Sequence, residues 1–264
     1  MGYVVPIEIS VREDAPEALR YALLEEANEL GLNPHMFRDI VCRILRKRPD
    51  EGNWSAYPNV WDEVQGMVYR CPWPKVYDIM EAAQARLAGA DIAKKGEAGA
   101  KFESAMNAVM VEEGIGWQLR NGQVESREPA AVEQVMQAAE EALDEASLEN
   151  ALRELRLARQ SLSARPIADL TGAVVHISSA LESTARRYGA TKDTLGTLFE
   201  THFQRLGIRP PMHVALSKMY GFASELARHG ADAPSDLSRE EVDLVIGVYS
   251  SVLTFLVARH GAKA

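Results

Sequence analysis

Residues 33–48 read NPHMFRDIVCRILRKR, and this stretch carries the pattern that decides the fold class. Asn33 and Pro34 predict a helix start, because an asparagine side chain caps free backbone N–H groups and proline fits the first helical position. The apolar residues that follow recur at the spacing of one helix face, and they are Phe37, Ile40, Val41, Ile44 and Leu45. The stretch therefore predicts an amphipathic α-helix.

The same helical spacing recurs on both sides of this stretch. Upstream, an apolar stripe precedes Gly31, which predicts a helix end there. Downstream, one helix is predicted to begin at Pro74 and another to end at Gly114. Residues 49–73 are rich in Trp, Tyr and Pro and are predicted to be irregular, and residues 89–99 are predicted to form a polar connection.

One β element interrupts the helical pattern. Residues 116–127, GWQLRNGQVESR, form two short alternating arms around Asn121-Gly122, which is the sequence that a type I′ hairpin turn prefers. From Glu128 onward the pattern is helical throughout. We therefore predict a mainly α protein. Residues 1–128 form a helical domain with one β-hairpin, and residues 129–264 form an all-α helical bundle.

Composition indicates an ordinary globular protein. The 264 residues include 25% charged side chains and carry a net charge of −9. With only two cysteines, a disulfide scaffold or a Cys-rich zinc site is excluded, which favours a reducing compartment. The first residues, MGYVVPIEISVRED, lack the apolar segment of a signal peptide. We therefore expect a cytoplasmic protein.

Residues 244–258, LVIGVYSSVLTFLVA, form the longest uncharged run. A membrane-spanning helix needs about 20 apolar residues, so these 15 residues favour a packed core helix or a dimer interface over a membrane role. We expect a homodimer that forms through the C-terminal domain.

The common catalytic and cofactor motifs are absent from the sequence. No HExxH, P-loop, GxGxxG or GxSxG pattern occurs, and no paired histidines have metal-ligand spacing. We therefore predict neither a metal site nor a cofactor, and conventional hydrolase, kinase and dehydrogenase functions have no sequence support.

A basic cluster follows the apolar face of the predicted helix at 34–45. Arg43, Arg46, Lys47 and Arg48 stand beside the Trp- and Tyr-rich segment, and such a combination is typical of nucleic-acid binding, since cations track phosphates and aromatic rings stack on bases. The alternative is structural: the aromatic residues fill the core, and the basic residues form a solvated helix end.

Two further segments carry candidate site residues. Residues 220–230, YGFASELARHG, place Arg228 beside His229 at a predicted helix end, with Gly230 as the terminator. Residues 169–182, DLTGAVVHISSALE, predict a helix on which Ser179 and Glu182 share one face. That face is a candidate neighbour of the Arg-His pair.

These segments resemble a known family. Residues 165–186, 194–200 and 213–230 resemble, in order, the C-terminal domain of AbiJ-like abortive-infection proteins, which is all-α and lies near the HEPN group of RNA-cutting toxins. Residues 61–87 and 102–128 resemble the N-terminal domain found with it. Together the resemblance covers most of residues 20–258.

The resemblance implies a set of site residues. The supporting and binding positions that it implies are Ser179, Glu182, Tyr220 and Ser224, together with Glu225, which stands where the family usually has an Asp. The implied catalytic pair is Arg228 and His229. HEPN ribonucleases carry an Arg four to six residues before the His, whereas here Arg228 directly precedes His229.

Two functions remain open from the sequence. The first is an antiphage defence effector that binds or cleaves RNA without a metal, with His229 as general acid or base and Arg228 stabilising charge. The second is a non-catalytic helical module for dimerisation or protein interaction.

Overall fold

The chain folds into two compact helical units. The computed structural model describes residues 8–90, 97–232 and 237–261, and the side chains of residues 90 and 227–232 lie outside that description. Unit 1 spans Met1–Arg127 and unit 2 spans Glu128–Ala264. The described residues form helices and a single two-stranded hairpin, which confirms the predicted mainly α fold class.

The described part of unit 1 contains five helices, an irregular helical turn and the hairpin. In chain order they are α1 (Glu17–Glu29), α2 (Pro34–Leu45), the helical turn Ala56–Val60, α3 (Trp61–Arg70), α4 (Trp73–Ala90), α5 (Glu97–Glu112), β1 (Trp117–Arg120) and β2 (Gln123–Ser126).

Unit 2 consists of six helices in its described part. They are α6 (Ala130–Glu145), α7 (Glu149–Leu162), α8 (Leu170–Gly189), α9 (Leu195–Thr201), α10 (Met212–Asp232) and α11 (Arg239–Gly261).

The start of α2 follows the prediction from local sequence. The Asn33 side chain accepts a hydrogen bond of 3.0 Å from the Met36 N–H, and Pro34 occupies the first helical position. The apolar face packs into the core of unit 1, where Phe37 and Val41 are completely buried. Local capping and apolar periodicity therefore agree, and the helix forms where the sequence places it.

The hairpin also forms as predicted. Trp117 pairs with Ser126 and Arg120 with Gln123 in an antiparallel ladder. Asn121 and Gly122 both have positive φ, at 51° and 79°, as a type I′ turn requires.

Side chains from the neighbouring helices hold the hairpin in place. The Asn107 side chain on α5 both donates to the Leu119 carbonyl and accepts from the Leu119 N–H, each at 2.7 Å. A Glu81 carboxylate on α4 accepts from the Val124 N–H at 2.8 Å. Both strands are therefore tied to helices of the same unit.

A buried arginine joins the helices of unit 1. The Arg20 guanidinium donates to the carbonyls of Ala15 at 2.7 Å, Val68 at 2.6 Å and Cys71 at 2.9 Å. These carbonyls lie before α1 and at the end of α3, so a single side chain satisfies backbone acceptors from two parts of the chain. A buried charge of this kind is tolerated because its donors are paired.

The prediction that residues 49–73 are irregular is wrong for residues 61–70. Residues 61–70 form helix α3, and its inner face carries Val64, Met67 and Val68, all buried. These residues have the i, i+3, i+4 spacing of a helix, but the surrounding prolines and aromatic residues mask the pattern. Burial of this short apolar face against α2 and α1 stabilises the helix.

Helix α8 is central in unit 2. It contacts α7, α9, α10 and α11, and its apolar residues, including Ile177 and Leu181, are completely buried. Asp169, the first residue of the predicted helical segment 169–182, caps its start and accepts from the Gly172 N–H at 2.8 Å. Helix α10 differs from the expectation, because it continues through Gly230 to Asp232. Gly230 is thus not the helix terminator, since glycine is tolerated in a helix at moderate cost.

Helix α11 packs its inner face against α6 and α8. Nine of its residues are buried, among them Val245, Tyr249, Leu253 and Leu256. In the described part of the chain it is the one helix that is long and apolar enough to cross a bilayer by length and composition. Half of its most apolar segment is buried within the protein.

A cluster of charged residues fixes the beginning of α11. The Arg239 guanidinium donates to a Glu128 carboxylate oxygen and, at 3.2 Å, to Asp243 Oδ1. Glu128 is 3% exposed, so one arginine faces two enclosed carboxylates. Burial and the neighbouring Glu128 raise the pKa of Asp243 to about 6, although Arg239 opposes this shift.

Candidate functional site

The basic cluster lies where α2 ends. Arg43 is in the last helical turn, Arg46 adopts the left-handed conformation with φ of 53°, and the Lys47 N–H donates to the Cys42 carbonyl at 2.9 Å. This C-terminal turn directs the chain away from the helix, so only Arg43 belongs to α2, and the other cations follow it. All four side chains of the cluster, Arg43, Arg46, Lys47 and Arg48, are exposed, and no acidic side chain pairs with them among the described residues.

Cys71, which directly follows α3, is affected by the charge of one member of the cluster. Burial raises the pKa of the Cys71 thiol, and the positive charges of Arg20 and Lys47 partly oppose this shift. Arg70, the last residue of α3, is exposed and does not belong to the predicted cluster.

The segment after the cluster presents aromatic side chains to solvent. Trp54 is 80% exposed and Tyr57 is 53% exposed. The Tyr57 hydroxyl donates to Asn28 Oδ1 at 2.7 Å, which fixes the ring. In contrast, Trp61 and Trp73 pack against the core. The aromatic residues of this segment therefore divide into a structural group and an exposed group.

A hydrogen-bonded network holds the loop that carries Trp54. Arg38 donates to the Asn53 carbonyl at 2.9 Å and to Glu63 at 3.3 Å, and Glu63 also accepts from the Asp50 N–H at 2.8 Å and the Asn53 amide at 3.1 Å. Burial raises the pKa of Glu63, but these hydrogen bonds outweigh it, and the net pKa lies below its ordinary value. Glu63 thus stays charged and anchors the loop, which fixes the backbone immediately before the exposed indole.

Ser179 and Glu182 on α8 make contacts within unit 2. The Ser179 hydroxyl donates to the Val175 carbonyl at 2.9 Å, within its own helix. Glu182 pairs with Arg186 at 2.7 Å and accepts from the Leu195 N–H at 3.0 Å. The Glu182 carboxylate therefore joins α8 to the first residue of α9, and both groups have a structural use.

The α10 candidates have different surroundings. The Tyr220 ring packs on the backbone of α9, because a β-carbon added at Gly196 would lie 2.8 Å from Tyr220 Cε1. Ser224 is partly buried and Glu225 is exposed. The side chains of Arg228 and His229, the candidate catalytic pair, lie outside the described residues, and so does any pairing between them and the Ser179–Glu182 face.

The described residues also bear on metal binding. Among them, no group of three or more His, Cys, Asp or Glu side chains is placed to hold a metal ion. Cys42 and Cys71 are both free and buried.

Comparison with known proteins gives one family. The model of AbiJ N-terminal domain 4 matches residues 1–145, which is more than half of the chain and includes unit 1 and helix α6. Searches of curated proteins and of solved structures found no match. The chain therefore belongs to the AbiJ N-terminal domain 4 family, which is associated with abortive infection.

Proposed function

We propose that this protein is a cytoplasmic antiphage defence protein that binds single-stranded RNA through unit 1. The RNA-binding surface consists of Arg43, Arg46, Lys47 and Arg48 together with Trp54, and we call it the basic surface. The observation that carries the proposal is the exposure of four cations that pair with no acidic side chain among the described residues, a short distance along the chain from an indole that is 80% exposed.

The chemistry of the basic surface matches a flexible polyanion. Cations neutralise phosphates and release counterions, while an exposed aromatic ring stacks on a base whatever its sequence. The end of α2 carries about half a negative charge from its backbone dipole, and the exposed Asp50 and Glu51 follow the cluster, so the four cations leave a reduced positive excess. The net charge of −9 repels a polyanion at long range, so RNA binding depends on this local concentration of cations.

RNA cleavage by Arg228 and His229 is the second candidate, and family membership and the adjacent Arg-His pair favour it. A HEPN-like cleavage site needs free polar groups near that pair. In unit 2, the Glu182 carboxylate and the Ser179 hydroxyl are engaged in contacts within the protein. We therefore put RNA binding first. The non-catalytic alternative, a dimerisation module, is compatible with RNA binding.

The proposal is tested by fluorescence anisotropy with a labelled single-stranded RNA of about 20 nucleotides, titrated at several salt concentrations. Replacing Arg46 and Lys47 with alanine is expected to weaken binding and to reduce the slope of log affinity against log salt by about 0.7 for each phosphate that the variant no longer neutralises. Arg187→Ala, at an exposed position on α8, is the matched control and leaves the slope unchanged.

Trp54→Ala tests stacking separately from charge. Loss of one stacked ring is expected to weaken binding by about 1–3 kcal/mol without changing the salt slope. Tyr21→Ala is the aromatic control, because Tyr21 is 57% exposed but lies with Glu17 and Glu25 around Tyr69. Equal RNA affinity in wild type and in the Arg46/Lys47 variant would refute the proposal. RNA fragments on a denaturing gel that disappear with His229→Ala would establish cleavage instead.

A further inference from the structure

The outer face of α11 is apolar although no helix of unit 2 covers it in the described part of the chain. A groove of about 650 Å³ runs along this face between α6 and α10. Leu244 is 53% exposed on its floor, and Met212 on the α10 side is 39% exposed. The opposite face of α11 fills the core of unit 2. Helix α11 therefore carries apolar residues on two faces, whereas a surface helix needs only one.

The floor of the groove has the spacing of a helix–helix contact. Leu244, Val248, Ser251 and Phe255 are separated by four, three and four residues, which is the repeat of an a/d seam in a coiled coil. Gly247 lies beside this stripe, and a β-carbon added there would meet only Val132 Cγ2, at 3.8 Å. A small residue at this position lets a second helix approach closely.

The charges at the two ends of α11 indicate which helix fits. The first turn carries Glu240 and Glu241, and the last turn carries Arg259 and His260. An antiparallel copy of α11 places acidic end against basic end, and the same register aligns Leu244 with Phe255 and Val248 with Ser251. Glu240 then faces Arg259 of the second copy. A single two-fold axis therefore pairs the apolar residues of the two copies and also places their opposite charges beside each other.

We propose that the outer face of α11 is the contact between two copies of this chain, with the two α11 helices antiparallel around a two-fold axis. The surface is self-complementary, as an isologous interface requires, and it covers the exposed leucine. The proposal goes beyond RNA binding and does not depend on it, because every residue that carries it lies in unit 2.

Sedimentation equilibrium of the full chain tests the contact. We expect a species of twice the 29.1 kDa chain mass at micromolar concentration. Ser251→Arg puts a charge in the centre of the face at an exposed site, and we expect the dimer dissociation constant to rise by at least about tenfold. Thr201→Arg is the matched control, because Thr201 is also exposed and, like Ser251, donates to the carbonyl four residues earlier at 2.8 Å.

A charge exchange tests the antiparallel orientation. Glu240→Arg and Arg259→Glu are each expected to weaken the dimer, because each places like charges opposite one another. The double variant restores opposite charges across the axis, so its dissociation constant is expected to return towards that of wild type. Circular dichroism of each variant verifies that unit 2 is folded.

Three outcomes overturn the proposal. The first is a monomer at concentrations up to about 100 µM. The second is a double variant weaker than both single variants, which excludes the antiparallel register. The third is a monomer that co-sediments with phosphatidylcholine–phosphatidylglycerol vesicles and loses this binding with Ser251→Arg, which assigns the face to a membrane.

Discussion

Replacing Asp243 with asparagine is expected to stabilise unit 2 at neutral pH. Asp243 and Glu128 both face the guanidinium of Arg239, and the charge of Glu128 disfavours the charged form of Asp243. The asparagine side chain keeps the shape and an oxygen that accepts from Arg239, and it adds an N–H that can donate to Glu128. The variant therefore removes the charge that Glu128 repels and keeps the contact with Arg239.

The size and pH range of the effect follow from the pKa of Asp243. Burial and Glu128 raise that pKa from 3.8 to about 6, so the folded state binds the proton more tightly than the unfolded state does. The cost of the charged form is therefore absent below pH 3.8, grows as pH rises to about 6, and is complete above that. At about 1.4 kcal/mol per unit of pKa difference, the cost of the charged form is at most about 3 kcal/mol. We therefore expect Asp243→Asn to raise the free energy of unfolding of unit 2 by about 1–3 kcal/mol at pH 7.

The positions of the tryptophans allow each unit to be followed separately. All four, Trp54, Trp61, Trp73 and Trp117, lie in unit 1, so tryptophan fluorescence reports the unfolding of unit 1. Far-UV circular dichroism reports both units. In urea titrations, Asp243→Asn is expected to move the dichroism transition of unit 2 to higher urea while the fluorescence transition stays in place.

Comparison of two pH values completes the test. Asp243→Asn is expected to stabilise unit 2 at pH 7. This effect is expected to vanish near pH 4, because Asp243 is protonated there in the folded protein. Asp144→Asn, at an exposed site on α6, is the control and stays within about 0.5 kcal/mol of wild type at both pH values. A variant that is less stable than wild type at pH 7, or equally shifted at both pH values, would refute the reasoning.

Two further predictions concern unit 1 and use tryptophan fluorescence in urea. Asn33→Ala removes the side chain that caps α2 and is expected to cost about 1 kcal/mol, whereas Asn33→Ser, which keeps a capping oxygen, stays close to wild type. Arg20→Met leaves three buried carbonyls without their donor and is expected to cost about 3 kcal/mol or more. A loss below about 1 kcal/mol would show that other groups satisfy these carbonyls.

The elements that sequence alone predicted depend on contacts between residues close in the chain. The cap on α2 joins Asn33 to a backbone group three residues away, and the hairpin turn needs only two adjacent residues that tolerate positive φ. Asp169 caps α8 in the same way. Such interactions are encoded by residue type and spacing, so they can be read before the fold is known.

Tertiary structure decided the features that depend on residues far apart in the chain. Val64, Met67 and Val68 have helical spacing that the surrounding prolines and aromatic residues mask, and packing of these residues against other helices stabilises α3. Packing also divides the aromatic residues into buried and exposed groups and leaves the indole of Trp54 in solvent. The raised pKa of Asp243 arises from burial and from Glu128, which is distant in sequence. Burial and interactions between charges that are distant in sequence depend on the whole fold, so a local sequence pattern cannot predict them.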